Sequence, residues 1–382
     1  MLIDPVGEPV VAGAGLEELA GAPETELSVA PQWKLVWFRF RRHRLALVGL
    51  VILLLVYLGA AFCEFVSPST PSNYNANYPL APPQQLHFLG HGMFMYVYGY
   101  NVTVNTTALQ HNYSPDTSKP IQVGFFVRGP TYRFWGLIPS DIHLIGPVHA
   151  GEPFYLAGTD TQGRDMLSLT LYGSRISMSI GLVGVAMSLV LGIVLGGMSG
   201  YFGGWLDTIV QRMIEFLRSI PTLPLWLGLA AAVPPGWGQL KMYFAITVIL
   251  SLVGWTDLAR VIRGRFLQVR NEDFVLAAEL DGSGPLRTAF RHVLPSFTSH
   301  IIASLTLAIP AMILGETALS FLGLGLQAPT VSWGVLLQQA QNVNAVANAP
   351  WLLVPGAAVV IAILCLNFVG DGLRDSADPY AS

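Results

Sequence analysis

Charged side chains are scarce in this chain, and their scarcity indicates its class. Only 11% of the 382 residues are charged, whereas soluble domains average about 25%. Hydrophobic residues make up 52% of the chain, and the mean hydropathy is +0.52. The composition therefore predicts a protein that lies largely within a membrane.

The sequence has few cysteines and shows no known catalytic, nucleotide-binding or metal-binding motif. Cys63 and Cys365, the two cysteines, each lie in or beside an apolar segment, which argues against a disulfide or a metal role. The sequence contains no Walker A motif, no Ser-His-Asp set and no metal-ligand spacing. A net charge of -3 argues against a nucleic-acid partner. We therefore expect no cofactor and no catalytic site, and any energy must come from another chain.

The N-terminal region changes from acidic to basic just before the first long apolar run. Residues 1–30 hold six acidic and no basic residues, the reverse of the start of a signal peptide, and we predict a cytoplasmic tail over residues 1–44. The basic cluster at the end of this tail is Arg39, Arg41, Arg42 and Arg44. Because basic residues favour the cytoplasmic side, the first membrane helix, predicted over residues 45–66, should run from inside to outside.

Residues 67–165 are polar and rich in proline, glycine and asparagine. About 100 residues suffice for a small domain. Alternation in residues 121–128 and 131–134 predicts short strands. The aromatic residues here, Phe125, Phe126, Tyr132, Phe134 and Trp135, are too many for a disordered linker. We therefore predict a β-rich extracytoplasmic insert between the first two membrane helices.

Asp160 and Asp165, at the end of this region, permit two interpretations. Paired acids can act as catalysts, although no nucleophile or metal set accompanies them. The alternative is a capped start of the next helix.

Five further apolar segments follow, over residues 177–197, 206–233, 242–262, 297–319 and 352–369. The segment at 206–233 is interrupted by Pro221 and Pro224. A second group of arginines lies between Asp257 and Arg291, at and after the end of the fourth predicted helix, and marks another cytoplasmic loop: Arg260, Arg263, Arg265, Arg270, Arg287 and Arg291. The predicted fold is an all-α polytopic membrane protein with six transmembrane helices, both termini inside, and a core of five helices over residues 166–382.

The polar stretch at 271–295 within that second loop predicts a helical hairpin. Asn271 can cap its first helix, and Gly282 can end that helix in a left-handed conformation. Pro285 suits the start of the second helix, with Gly284 before it, and the helix must stop near Pro295.

This hairpin resembles the EAA loop of ABC importer permeases, in which Glu-Ala-Ala is followed by Gly and then by Ile-x-Leu-Pro. Leu276 and His292 depart from that pattern. The resemblance implies that the hairpin couples the chain to an ATPase subunit, and an ordinary cytoplasmic hairpin is the alternative. The implied coupling residues are Ala277, Ala278, Gly282, Arg291, Leu294 and Pro295.

Two longer stretches resemble the dipeptide, oligopeptide and nickel branch of these permeases. Residues 158–177 match Gly-Thr-Asp-x-x-Gly-Arg-Asp with Gly-x-Arg-x-Ser, and residues 367–379 match Asn-x-x-Gly-Asp-x-Leu-Arg-Asp-x-x-Asp-Pro. The resemblance implies a type I ABC importer permease fold and a C-type subunit in the plasma membrane. It further implies a heterodimer with a second permease, two ABC ATPase subunits that hydrolyse ATP, an extracytoplasmic solute-binding protein, and di- or oligopeptides as substrate.

Other functions remain open at this point. Importers of nickel or oligosaccharides share these motifs. A secondary transporter would show inverted repeats, and a membrane-anchored receptor would need only one or two spans.

Charged residues inside the predicted helices have alternatives too. Glu316 is a candidate for the translocation path or the permease interface, and a structural hydrogen bond is its alternative role. Arg212, Glu215 and Arg218, each three residues apart, are predicted to pair among themselves.

Overall fold

The structure is a computed structural model that describes residues 32–105, 110–234 and 236–377. Most of the predicted N-terminal tail, residues 1–31, lies outside the described residues. So do Asp378 and Pro379, the last two residues of the C-terminal motif.

Thirteen α-helices are named here, within those described ranges. In chain order they are α1 (Gln32–Phe40), α2 (Arg44–Ala61), α3 (Cys63–Val66), α4 (Met166–Phe202, with a π-helical turn at Gly192–Gly196), α5 (Gly204–Ser219), α6 (Thr222–Ala231), α7 (Gln239–Val269), α8 (Asp273–Leu280), α9 (Pro285–Thr288), α10 (Thr298–Phe321), α11 (Trp333–Gln338), α12 (Val343–Asn348) and α13 (Val354–Ala377). A π-helical turn at Ala289–Val293 and a short turn at Leu294–Ser296 follow α9. Of the described helices, five are long and apolar enough to span a membrane: α2, α4, α7, α10 and the helix that includes α13.

The predicted third membrane helix is divided in the structure. Segment 206–233 lies mainly in α5 and α6, of 16 and 10 residues, which are separated at the predicted proline interruption. Ile220 separates them in an extended conformation, with φ −95° and ψ 130°. The cause is Pro221, because proline disfavours helical backbone at the preceding residue.

The insert contains the predicted β-structure. Its strands are β1 (His87–Gly90), β2 (Met93–Asn105), β3 (Gln110–Phe134) and β4 (Ile138–Pro147). They form one antiparallel sheet in the order β1-β2-β3-β4. Both predicted strand segments, 121–128 and 131–134, lie within β3, which shifts register between Arg128 and Tyr132. A small apolar core lies behind the sheet, formed by Met95, Val97, Ile121, Val123 and Phe154.

Helices α2 and α13 pack antiparallel through small residues. A Cβ on Gly49 would lie 3.0 Å from the carbonyl oxygen of Cys365, so the two backbones approach closely. Gly372 meets Ala46 in the same way. This contact explains why α13 continues to Ala377, beyond the predicted end at residue 369. The N-terminal end of α2 and the C-terminal end of α13 therefore lie side by side.

Helices α4 and α7, by contrast, run parallel. The Tyr243 hydroxyl donates to Ser179 Oγ at 3.1 Å, and Ser251 Oγ donates to the Gly184 carbonyl at 3.0 Å. Farther along both helices, Gly200 contacts Phe266. The segment between them must consequently return along the length of the bundle.

Candidate coupling surface and buried clusters

The hairpin at 271–295 has most of its predicted turns. Gly282 has φ +82°, and the following Ser283 N–H donates to the Ala278 carbonyl at 3.0 Å, so the left-handed end of α8 is confirmed. Gly284 precedes α9 and Pro285 is its first residue, also as predicted. The predicted start was wrong by one residue: Glu272, not Asn271, is the N-cap, and no side chain caps the helix.

The second half of the hairpin ends near Pro295, as predicted. The chain stays helical through Ser296 and turns at Phe297, which has φ −127° and ψ 25°. Phe297 is buried and packs edge-on against Phe266 of α7, with ring centroids 5.5 Å apart. The turn is therefore held against the core by Phe297.

One face of α8 is turned toward the protein itself. Val275 is buried in a cluster with Phe266, Val293 and Phe297, and Ala278 is also buried. The two implied coupling residues on this helix, Ala277 and Ala278, differ in exposure. In the structure Ala277 is exposed, while the close approach at Ala278 occurs within this chain. The hairpin is thereby fixed to the ends of α7 and α10.

The hairpin connects two membrane helices and carries many charged residues. Its opposite face nevertheless exposes apolar side chains. Leu280 is 89% exposed and Leu286 is 60% exposed. We call this surface the hairpin patch; it consists of Phe274, Leu276, Leu280, Leu286 and Phe290. An exposed apolar cluster with a charged rim is typical of a protein-binding surface.

The implied coupling residues divide around this patch. Gly282 is exposed at the tip, with open space around its Cβ position. Ala277, Arg291 and Pro295 are exposed, and Leu294 is half-buried against the core of the hairpin. Four of the six predicted residues, Gly282 included, are thus accessible to another chain, while Ala278 is buried.

Ion pairs hold the segment that returns between α4 and α7. Arg263 Nε and Nη2 donate to the two carboxylate oxygens of Asp207, at 2.6 and 2.7 Å. Arg212 pairs with Glu215 at 2.7 Å, as predicted. Arg218, however, pairs with Asp257 of α7, so the prediction that it pairs with Glu215 was wrong. Sequence spacing within one helix could not reveal a partner on another.

The two acids at the end of the insert are structural. Asp165 is the N-cap of α4 and accepts from the Ser168 N–H at 2.8 Å. Burial raises the pKa of Asp165 to about 6. Asp160 accepts from the Arg164 N–H at 2.9 Å and from its Nε at 2.8 Å. The capped start of a helix is therefore the correct interpretation, and it lengthens α4 by eleven residues relative to the predicted start at 177.

Glu316 is fully buried within the bundle, among hydroxyl groups. Ser177 of α4 donates to it at 2.9 Å, and Ser332, just before α11, donates at 2.7 Å. Ser320, one turn along α10, donates at 2.9 Å. The Ser332 hydroxyl also accepts from the Val335 N–H and so caps α11. This geometry supports the structural alternative for Glu316, while its role in the path or the permease interface stays a prediction.

Glu64 is a further buried acid, and no sequence pattern predicted its role. Arg175 donates to its two carboxylate oxygens at 2.6 and 2.5 Å, joining α3 to α4. Burial opposes the charge of Glu64, but the hydrogen bonds from Arg175 prevail and lower its pKa. The two residues lie 111 positions apart, so no sequence pattern pairs them. Cys63 beside Glu64 is a free, buried thiol, as is Cys365.

Comparison with known proteins identifies the family. Residues 188–381 match the family described as the binding-protein-dependent transport system inner membrane component. The chain belongs to this family. Residues 31–83 of this permease-family chain also match the N-terminal transmembrane domain of oligopeptide transport permease C.

Two relatives can be aligned with nearly the whole chain. It is 30% identical to the dipeptide transport system permease protein DppC of Haemophilus influenzae, over 93% of this chain and 98% of the relative. It is 29% identical to the oligopeptide transport system permease protein OppC of Bacillus subtilis, over 97% of this chain and 96% of the relative. A solved structure, an inward-facing MetNI methionine ABC transporter, has 18% identity and a TM-score of 0.46 over 55% of this chain and 97% of that chain.

Proposed function

We propose that this chain is one permease subunit of an ATP-driven, binding-protein-dependent importer of di- or oligopeptides. It forms half of the translocation path with a second permease. Two ABC ATPase subunits bind it from the cytoplasm and hydrolyse the ATP, and a solute-binding protein delivers the substrate from outside. The names of the relatives, oligopeptide and dipeptide transport permeases, support the substrate class. The hairpin patch is the observation that carries the coupling role.

The mechanism of coupling follows from how the hairpin is held. Its exposed face offers Leu280 and Leu286 to a cleft in the ATPase. Its buried face packs through Val275 against α7 and the start of α10. Because packed cores transmit displacement, movement of the ATPase pair would move the inner ends of these helices together. ATP binding and hydrolysis would thereby alternate the access of the path.

Six membrane crossings are also part of this proposal. Val210 and Ile214 of α5 pack beside Trp255 and Ala259 of α7, and the later Ala230 packs with the earlier Ile246. The returning segment therefore runs antiparallel to α7. Its 16- and 10-residue helices are together about 39 Å long at 1.5 Å per residue, more than the roughly 30 Å of a hydrocarbon core. We infer that α5 and α6 make the sixth crossing, interrupted at Pro221.

The orientation rests on the distribution of arginines. The end of the bundle that holds the N-terminus of α2 and the C-terminus of α13 also holds the hairpin. Both arginine groups of the sequence lie in the segments at this end, which is therefore assigned to the cytoplasm. The insert then lies outside, where it can shape the docking surface for the solute-binding protein. Both termini are cytoplasmic in this arrangement.

The coupling role is tested by a charge on the hairpin patch. The Leu280→Asp chain should be purified with its second permease after co-expression of the ATPases, and the amount of ATPase retained should be measured. We expect the permease pair to remain and the ATPases to be lost. Leu89→Asp is the matched control, because Leu89 is a similarly exposed leucine on the insert, 80% exposed. Equal retention of ATPase in both variants would refute the role of the patch.

Substrate and energy source need a separate experiment. The complete transporter, reconstituted in vesicles with its binding protein, should take up labelled di- or oligopeptides only when ATP is supplied to the ATPase side. Uptake of nickel ions or oligosaccharides in place of peptides would overturn the substrate class. Uptake driven by an ion gradient without ATP would overturn the energy source. Neither outcome depends on the result with Leu280→Asp.

A further inference from the structure

The turn between β3 and β4 has an unusual residue in a strained position. Trp135 has φ +51° and Gly136 has φ +75°, and the Leu137 N–H donates to the Phe134 carbonyl at 2.9 Å. Two successive left-handed residues make a type I′ turn, where Asn-Gly or Asp-Gly is preferred. A left-handed backbone is costly for a bulky residue such as tryptophan. A strained residue of this kind directs attention to what its side chain does.

The Trp135 side chain and backbone are fixed to the end of a membrane helix. The indole Nε1 donates to the carbonyl of Ala61, the last residue of α2, at 3.0 Å. The backbone N–H of Trp135 donates to Glu64 Oε1 at 3.2 Å. The Arg175 guanidinium lies over the indole, 5.0 Å from the ring centroid. The Glu64–Arg175 pair thus holds the turn through two contacts: Glu64 binds the backbone of Trp135, and Arg175 packs on its ring.

The β3–β4 hairpin approaches the membrane as it nears this turn. His143, in the middle of β4, contacts the carbonyl of Ser67, beyond α3. Nearer to the turn, Phe134 stacks on Phe62, with ring centroids 5.7 Å apart, and Trp135 reaches Ala61. The partners therefore step back along the chain from residue 67 to residue 61, toward the apolar span. The turn lies at the level where that span ends.

The tip of the turn presents only apolar side chains to its surroundings. Trp135 is 59% exposed, Leu137 is 81% exposed and Ile138 is 64% exposed. The surface continues onto α2 through Phe62, itself 46% exposed. Next to the tip, Arg133 is exposed and carries a positive charge. Tryptophan and arginine beside aliphatic residues are typical of the layer between lipid headgroups and acyl chains.

We propose that the β3–β4 turn, residues 135–138, inserts into the interfacial layer of the lipid bilayer on the side of the insert. The lipid face of α2 continues directly into this turn, so the bilayer that surrounds α2 also receives the turn. The insert is thereby anchored at a fixed height and tilt above the membrane helices. This inference depends on the membrane span of α2 and not on the substrate or on the ATPase contact.

Spin labelling of the complete transporter in lipid nanodiscs tests the insertion. Leu137→Cys carries a nitroxide, and its collisions with oxygen, which concentrates in lipid, are compared with its collisions with a water-soluble nickel chelate. Leu89→Cys is the matched control: it is an exposed leucine beside the β1–β2 turn, at the sheet edge opposite β4. Cys63 and Cys365 are buried and should take up little label. Labelling of the unmutated chain measures this background.

The expected result is at least a severalfold preference for oxygen at position 137 and a preference for the nickel chelate at position 89. A preference for the chelate at position 137 would place the turn in water and overturn the proposal. Shielding of position 137 from both reagents would also overturn it, because a protein such as the second permease would then cover the turn. Ile138→Cys provides an independent second label on the same surface.

Discussion

The hydroxyl of Tyr201 donates a hydrogen bond of 2.7 Å to Oε1 of Glu279. Tyr201 lies in the last turn of α4, and Glu279 lies in the last turn of α8. The bond therefore links the hairpin to α4, a membrane helix that lies far from it in the sequence. Tyr201 also lies edge-on to Phe266, at 6.5 Å between ring centroids, so its ring is part of the same core that supports α8.

Tyr201→Phe should separate the bond from the packing. The phenyl ring preserves the contact with Phe266, while the bond to the carboxylate is lost, at a cost of about 1 kcal/mol. If the bond transmits movement, ATPase retention should stay normal while transport per ATP hydrolysed falls. Both quantities are measured in vesicles.

Glu279→Gln serves as the control for this bond, since its amide oxygen can still accept from the tyrosine. It should lie between the unmutated chain and Tyr201→Phe. Unchanged coupling in Tyr201→Phe would show that the bond has only a local role.

Gly282→Trp should uncouple the transporter without unfolding it. The glycine has φ +82° and open space around its Cβ position, so a side chain there costs on the order of 1 kcal/mol of backbone strain. An indole at the tip of the hairpin would instead collide with the docked ATPase. The permease pair should form in normal amounts, and its ATPases should be lost or should ignore the loaded binding protein.

Gly92→Trp is a matched control for this change. Gly92 has φ +73° and similarly open space, but it lies between β1 and β2 of the insert. It should bear the same backbone strain and keep its ATPases. Normal transport in Gly282→Trp would count against the coupling role of the hairpin tip.

The proposed orientation is tested by cysteine labelling in intact cells. Gly284→Cys lies on the hairpin, where its side chain has open space, and it should be protected from a reagent that cannot cross the membrane. Leu89→Cys on the insert should react. Reaction at position 284 in sealed cells would reverse the assignment of the two sides.

The long apolar runs and the glycine and proline turns of the hairpin were predictable from the sequence because they depend on local chemistry. Gly282 and Pro285 act through their own backbone preferences, and both stand where the sequence placed them. The end of α13 was not predictable in this way. Its last turns persist because Gly370 and Gly372 let the helix pack against Leu307 and Ala46, which are distant in sequence.

The buried polar clusters depend even more on tertiary structure. Glu316 was recognised as an intramembrane acid, but its partners Ser177 and Ser332 come from two other segments. The aromatic residues of the insert predicted an ordered domain, yet nothing local indicated that Trp135 reaches the end of α2. A sequence reveals which residues require partners more readily than it reveals the partners.

The pKa of Asp165 predicts a pH dependence of stability. Burial raises this pKa from its ordinary value of 3.8 to about 6, so the folded protein holds a proton there that the unfolded chain has released between these values. The contribution of Asp165 to the free energy of unfolding is therefore complete below pH 4, falls as the pH rises to 6, and is constant above. The total loss is about 3 kcal/mol.

Asp165→Asn removes this titration and keeps a side chain that can cap α4. Relative to the unmutated chain, its apparent Tm should rise between pH 4.5 and pH 7.5, measured by thermal unfolding of both proteins in the same detergent. All other titrating groups are common to the two chains. A constant difference in Tm over this pH range would contradict the assignment.

Substitution of Glu316 separates a structural role from a role in the translocation path. Glu316→Leu leaves the hydroxyls of Ser177, Ser320 and Ser332 without their carboxylate acceptor, and each unpaired buried group costs about 1–3 kcal/mol. Glu316→Gln retains an acceptor for two of them and should be milder. The apparent Tm should therefore fall most in Glu316→Leu, while Glu215→Leu, at a largely exposed acid, should change it little. If Glu316→Gln instead keeps the Tm of the unmutated chain but abolishes peptide uptake, Glu316 acts in transport itself, and the hydroxyl cluster serves to position a residue of the path.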